Sequence, residues 1–155
     1  MGDQEELDEQ LLAYLKEQYH ENQFVNLLGM ELTSASKGNI LLSMKIDAKK
    51  HTNLYQVVHG GAMASLADTA MGICCATLGS RVVTLAFNMN FIRNIEAGSI
   101  VRATGKVIHH GRRTMVAEAE LRNETDKLLC KASGTFFVIG KFEEFPDEPV
   151  KQADN

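Results

Sequence analysis

The chain has 155 residues, 45% apolar and 23% charged, and a formal net charge of −4. That balance suits one globular domain with a modest core and excludes a chain disordered throughout. It also leaves no broad electrostatic footprint for nucleic acid, so an anionic ligand would have to meet a local group of arginines.

Leu7, Leu11, Leu12, Leu15 and Tyr19 recur at helical spacing among acids and glutamines, which predicts an amphipathic helix over residues 4–20. No basic start leads into an apolar stretch, as a secretory signal would, and no run approaches the ~18 apolar residues of a membrane span. These features predict a soluble, cytoplasmic protein with no membrane partner. A short helix or turn at 24–28 ends at Gly29, and Gly38-Asn39 then divides two strand-like runs. Ile40, Leu42, Met44 and Ile46 of the second run alternate as in a half-buried strand.

After a connection at 48–58 comes His59 to Leu78, HGGAMASLADTAMGICCATL. It reads as a helix apolar on nearly every face, which belongs in the middle of a protein. Four strands are predicted at 82–92, 100–108, 114–122 and 128–138, and their short turns suggest an antiparallel meander. The acidic stretch from Lys141 onward carries both prolines and reads as a flexible tail. The expected organisation is a helical extension at 1–22, one domain at 23–140 and a tail at 141–155. The class is α+β, with an antiparallel sheet wrapped over one central helix, and a second copy of the chain would help to cover that helix.

Cys74, Cys75 and Cys130 are odd in number and lack metal-ligand spacing, so they read as buried free thiols in a reducing compartment. Asp68 is the one acid of the apolar helix. A carboxylate there is costly unless paired, and such groups serve either as nucleophile or general base or simply as a local cap. His59-Gly60-Gly61 opens the same helix, where unpaired N–H groups and the helix dipole favour developing negative charge. The other reading of the glycines is a conformational helix entry. Asp68 lies eight residues beyond Gly60, roughly 12 Å along one helix, so the two cannot act on one carbonyl carbon within a single helix. Two such helices running antiparallel about a two-fold axis would bring them together.

Arg93, at the end of a strand, and Gly111-Arg112-Arg113, in a turn, are either phosphate contacts or solvated turn residues. His109 and His110 point to opposite faces of a strand with no third ligand at suitable spacing, so no metal site is expected. His20 and His51 read as surface positions. No nucleophile elbow, dinucleotide fingerprint or phosphate loop is present.

The stretch NLYQVVHGGAMASLADTA resembles the motif of hotdog-fold acyl-CoA thioesterases, of the phenylacetic-acid-degradation and 4-hydroxybenzoyl-CoA type. Asn53 stands six residues before His59, and Asp68 nine after it, and the likeness runs from about Phe24 to Val138. The resemblance implies hydrolysis of an aromatic or medium-chain acyl-CoA to free acid and CoA, without metal or other cofactor. It implies a homo-oligomer, a dimer or a tetramer built from two dimers. The Gly60 N–H would polarise the thioester carbonyl, and Asp68 of the partner subunit would attack it or activate water. Asn53 would position the nucleophile or water, His59 would fix the loop, and Thr84 would stand near the reacting water. Gly61, Arg93, Gly111, Arg112 and Arg113 match places that meet the CoA moiety. Two departures stand out, with Asn94 where the family often has proline and Gln56 where it often has glycine. The alternatives are a hydratase or dehydratase on the same fold and a non-catalytic acyl-CoA-binding module. The first lacks its usual His-acid motif here. The second tends to lose the acid that Asp68 supplies.

Overall fold

The computed structural model describes residues 2–147. Helix α1 (Asp3–Tyr19) carries Asp3, Glu5 and Glu6 in its first turn, where the helix dipole favours acids, and buries Leu7, Leu11 and Leu15. Helix α2 (Gln23–Leu28) starts where Asn22 accepts the Val25 N–H and stops at Gly29 in a left-handed conformation. Strands β1 (Met30–Ser36) and β2 (Asn39–Lys45) form a hairpin. Then follow the central helix α3 (Gly60–Ala76) and strands β3 (Ser80–Phe91), β4 (Ile100–His110), β5 (Thr114–Arg122) and β6 (Leu128–Lys141).

All six strands form one antiparallel sheet in the order β1-β2-β4-β5-β6-β3. The expected meander holds for β4, β5 and β6 and fails for β3, which pairs with β6, while β4 pairs with β2. Alternating apolar residues mark a strand but not its neighbour. The connection at 92–99 has to carry the chain across three strand spacings, roughly 14 Å, well within its reach.

The sheet curves around α3, whose Met63, Leu66, Ala67, Ala70, Met71 and Cys74 are fully buried. Close approach of the helix to β4 depends on Gly105, where a Cβ would stand 2.8 Å from the Ala70 carbonyl oxygen. The C-terminal end of α3 is tied to the β1–β2 turn, because Thr77 Oγ1 accepts the Gly38 N–H at 2.8 Å and donates to the Cys74 carbonyl. The helix is not buried on every side, as its composition suggested. Gly61, Ala64, Ser65, Asp68, Thr69 and Gly72 leave a partly open stripe of small and polar residues at helical spacing.

Beside that stripe runs β3, a 12-residue edge strand. Val83, Leu85, Phe87 and Phe91 are all exposed on it, and such an apolar edge is a template for pairing with another chain. Of the stretch read as a tail, residues 141–147 are described: Lys141 ends β6, and Phe142 and Phe145 pack edge-on against Tyr14 of α1. The remainder, 148–155, lies outside the described residues.

All three thiols are buried and free. Burial pushes Cys74 up to about 12 and Cys75 and Cys130 up to about 11, and it likewise pushes the Tyr19 phenol up to about 12. Each group keeps its proton to higher pH folded than unfolded. Their contribution is therefore complete below about pH 9 and lost as pH rises through 11 to 12. The urea midpoint should fall between about pH 8 and about pH 10.5, and a thiol reagent at neutral pH should label the native chain only slowly. Fast labelling of the native chain would contradict the burial.

His51 corrects another expectation, because it is buried and not at the surface. Its Nδ1 accepts the Asp47 N–H at 2.9 Å, which leaves Nε2 to donate to the Leu28 carbonyl at 2.9 Å. Its own carbonyl accepts the His59 N–H at 2.7 Å. The ring thus joins the end of α2 to the base of the loop that precedes α3. Replacing His51 with Ala orphans two inward-facing backbone groups and should cost about 2–3 kcal/mol, read as a shift of the denaturation midpoint.

Candidate active site

Residues 53–57 form a compact turn organised by Asn53. Its Oδ1 accepts the N–H groups of Tyr55 at 2.9 Å and Val57 at 3.1 Å, and its N–H donates to the Val57 carbonyl. The Gln56 N–H closes the turn on the Asn53 carbonyl at 3.1 Å. This geometry holds Gln56 at φ 60°, a left-handed conformation that costs a non-glycine residue about 1–2 kcal/mol. Asn53 therefore spends its side-chain oxygen on shaping the loop, while its Nδ2 donor has no hydrogen-bond partner among the described residues.

His59 caps α3. Its backbone is extended, with φ −69° and ψ 129°, and its Nδ1 accepts the Gly61 N–H at 2.9 Å. The His59 carbonyl takes the N–H of Ala62. Of the first-turn N–H groups, that of Gly60 has no hydrogen-bond partner among the described residues. It sits at the positive end of the helix dipole, where an oxyanion would find a donor in place. The Phe91 ring stands close to Gly60, since a Cβ there would be 3.3 Å from Phe91 Cζ.

Asp68 lies two turns further along α3. Its carboxylate is half-buried and accepts a 2.7 Å hydrogen bond from Thr84 Oγ1 of β3. It faces the open stripe of α3, not the apolar core expected from sequence. A bulge between Thr84 and Ala86 sets the register of β3. On either side of it, Thr84 pairs with Phe136, Phe87 with Gly134 and Phe91 with Cys130, which turns the β3 side chains toward α3. β3 thus runs antiparallel to α3, with Thr84 against Asp68 and Phe91 against Gly60.

The structure brings together two of the predicted groupings, Asn53 with His59, Gly60 and Gly61 in one and Asp68 with Thr84 in the other. It keeps the groupings about 12 Å apart along the helix. Arg93 donates through Nη1 to the Leu128 carbonyl at 2.7 Å and so braces the start of β6. Arg112 and Arg113 are exposed in the β4–β5 turn. Gly111 is required there because a Cβ would come within 2.6 Å of the Thr114 carbonyl oxygen. Among the described residues no three His, Cys, Asp or Glu side chains converge as a metal site would need. Sequence reasoning did not single out Phe91, which read only as part of an apolar strand, and it took His51 for a surface position, since its Leu28 partner lies 23 residues away.

A cavity of about 910 Å³ adjoins the loop and is lined by Lys49, Asn53, Tyr55, Gln56 and His59 among others. A larger one, about 1130 Å³, lies between α1 and strands β1, β2, β4 and β5. None of the candidate residues lines it, so its size alone does not make it the site.

Known proteins resemble this chain in sequence and fold. The thioesterase superfamily matches residues 55–130. The acyl-coenzyme A thioesterase PaaI of Escherichia coli (strain K12) is 32% identical over 122 residues, covering 79% of this chain and 86% of that protein. A solved structure of the E. coli PaaI protein superposes with a TM-score of 0.81 at 30% identity, over 87% of this chain and 97% of that one. The 1,4-dihydroxy-2-naphthoyl-CoA hydrolase of Listeria monocytogenes serotype 1/2a (strain 10403S) is 33% identical over 117 residues, 74% of this chain and 94% of its own. A hypothetical thioesterase from Streptococcus pneumoniae TIGR4, solved with coenzyme A, aligns at a TM-score of 0.75 and 25% identity, over 81% of this chain and 98% of that one. The chain belongs to the thioesterase superfamily, among its PaaI-like, hotdog-fold acyl-CoA thioesterases.

Proposed function

We propose that the chain hydrolyses an acyl-CoA thioester, aromatic or medium-chain, at sites shared between two copies. The observation that carries this reading is the pairing of a carboxylate held by Thr84 with a Gly60 N–H that has no partner among the described residues, on the same open face of α3. Within one chain the two are too far apart to act on one carbonyl. A second copy running antiparallel along the exposed β3 edge would bring its Asp68 opposite Gly60, and the two-fold axis would make two equal sites.

In this reading the Gly60 N–H stabilises the oxygen of the thioester carbonyl as negative charge develops. The partner's carboxylate either attacks the carbonyl carbon, forming an anhydride that water then opens, or takes a proton from the attacking water. The C–S bond breaks in both routes, and CoA leaves as a thiolate that takes up a proton. Thr84 orients the acid, and Asn53 and His59 hold the loop against Gly60 and Gly61. Arg112 and Arg113, with Gly111 keeping their turn tight, suit the CoA phosphates, and Arg93 supports the neighbouring strand end. The working assembly is then this dimer or a tetramer of two such dimers.

The test is thiol release from a panel of aromatic and aliphatic acyl-CoAs. Saturable turnover of some members supports the reading. Saturable binding with no release across the panel would sink it in favour of a binding module, and a change in acyl unsaturation without thiol release would point to a hydratase.

A further inference from the structure

Among the described residues three non-glycines have positive φ, and only Gln56 lies beside the candidate site. Aspartate, as at Asp126, tolerates this conformation, whereas glutamine gains nothing local from it. The strain at Gln56 is held in place by the Asn53 turn, and backbone strain kept at a site is a pointer to use of the side chain that bears it. The Gln56 side chain is exposed and lines the 910 Å³ cavity with Asn53, Tyr55 and His59. Its carboxamide has no hydrogen-bond partner among the described residues, so two donor hydrogens and an acceptor oxygen are available at the cavity wall.

We propose that Gln56 is a specificity-determining residue whose carboxamide hydrogen-bonds a neutral polar substituent, a hydroxyl or carbonyl, on the acyl group. This rests on the thioesterase reading above. A purely apolar acyl group would cover the carboxamide without replacing its water, and a site that holds out a polar group discriminates against the analogue lacking the matching one. The ligand feature is uncharged, since a carboxamide supplies donors and an acceptor but no countercharge.

Two variants separate the side chain from the backbone. Gln56→Met keeps length and strained φ but removes the carboxamide, and Gln56→Gly removes both side chain and strain. The readout is the ratio of kcat/KM for a hydroxylated acyl-CoA over its unsubstituted partner. The pairs are hydroxybenzoyl-CoA with benzoyl-CoA and 3-hydroxyoctanoyl-CoA with octanoyl-CoA. In the wild type this ratio should exceed one for at least one pair, and both variants should lower it about tenfold. A thermal melt should show Gln56→Gly at least as stable as wild type. An unchanged ratio in an active enzyme overturns this inference alone, as does an equal fall for both members of a pair, which would assign the contact to CoA. A fall with Gly but not Met overturns it in favour of a backbone effect. No thiol release by wild type from any panel member overturns the thioesterase reading and takes this inference with it.

Discussion

Asp68→Asn should lower kcat/KM for thiol release by about 10²–10⁴-fold and leave the fold and the oligomer intact. Asparagine matches aspartate in shape, and its carbonyl oxygen can still accept the 2.7 Å hydrogen bond from Thr84 Oγ1, so the local packing has no reason to change. What disappears is the negative charge, and with it either role proposed for the acid, nucleophile or proton acceptor. The carboxylate is half-buried on the open stripe of α3, so its loss should cost little stability. Thermal melting and size measurements on the same sample separate chemistry from folding. A loss smaller than about tenfold would remove Asp68 from the reaction.

Gly60→Pro should be nearly as damaging, by about 10²–10³-fold in kcat, for a different reason. Gly60 is the first residue of α3, a position where proline fits helical geometry. The preceding His59 already has the extended backbone that a following proline demands. The substitution thus deletes one N–H, which has no partner among the described residues, and brings a Cβ to 3.3 Å from the Phe91 ring, which must give way slightly. If each site takes Gly60 from one chain and Asp68 from the other, the two inactive variants should rescue each other. Unfolded together and refolded as a mixture, half of the dimers would be mixed, and each mixed dimer would hold one intact site and one doubly defective one. Activity should recover to about a quarter of wild type. No recovery would place both groups in the same chain's site.

The sequence made helix and strand positions legible because their periodicity is local. α3, β5 and the ends of α2 lie where spacing and Gly29 put them. Strand partnership is a long-range property, so β3 was misplaced beside β4 when it belongs beside β6. His51 shows the same limit at one residue, since a lone histidine looks like surface until the Leu28 carbonyl, 23 residues away, is seen to take its N–H. Asp68 and the glycines at the mouth of α3 were legible as chemistry because an acid in an apolar helix and a glycine pair at its start are both unusual. Thr84 was reached through family likeness alone, because nothing in a strand's spacing says which residue will face a carboxylate.

The pairing of β3 with β6 also governs what can happen while the chain is being made. β3 leaves the ribosome before β4, β5 and β6, yet among the described residues its one neighbour in the sheet is β6, the last of these to appear. Until β6 arrives, the segment that carries Thr84 has no hydrogen-bonded place to lie, and its Val83, Leu85, Phe87 and Phe91 are open to any passing chain. A copy cut short before β6 would thus be both idle and adhesive. The 2.7 Å bond between Thr84 and Asp68 therefore waits on β6, the strand that gives β3 its place in the sheet.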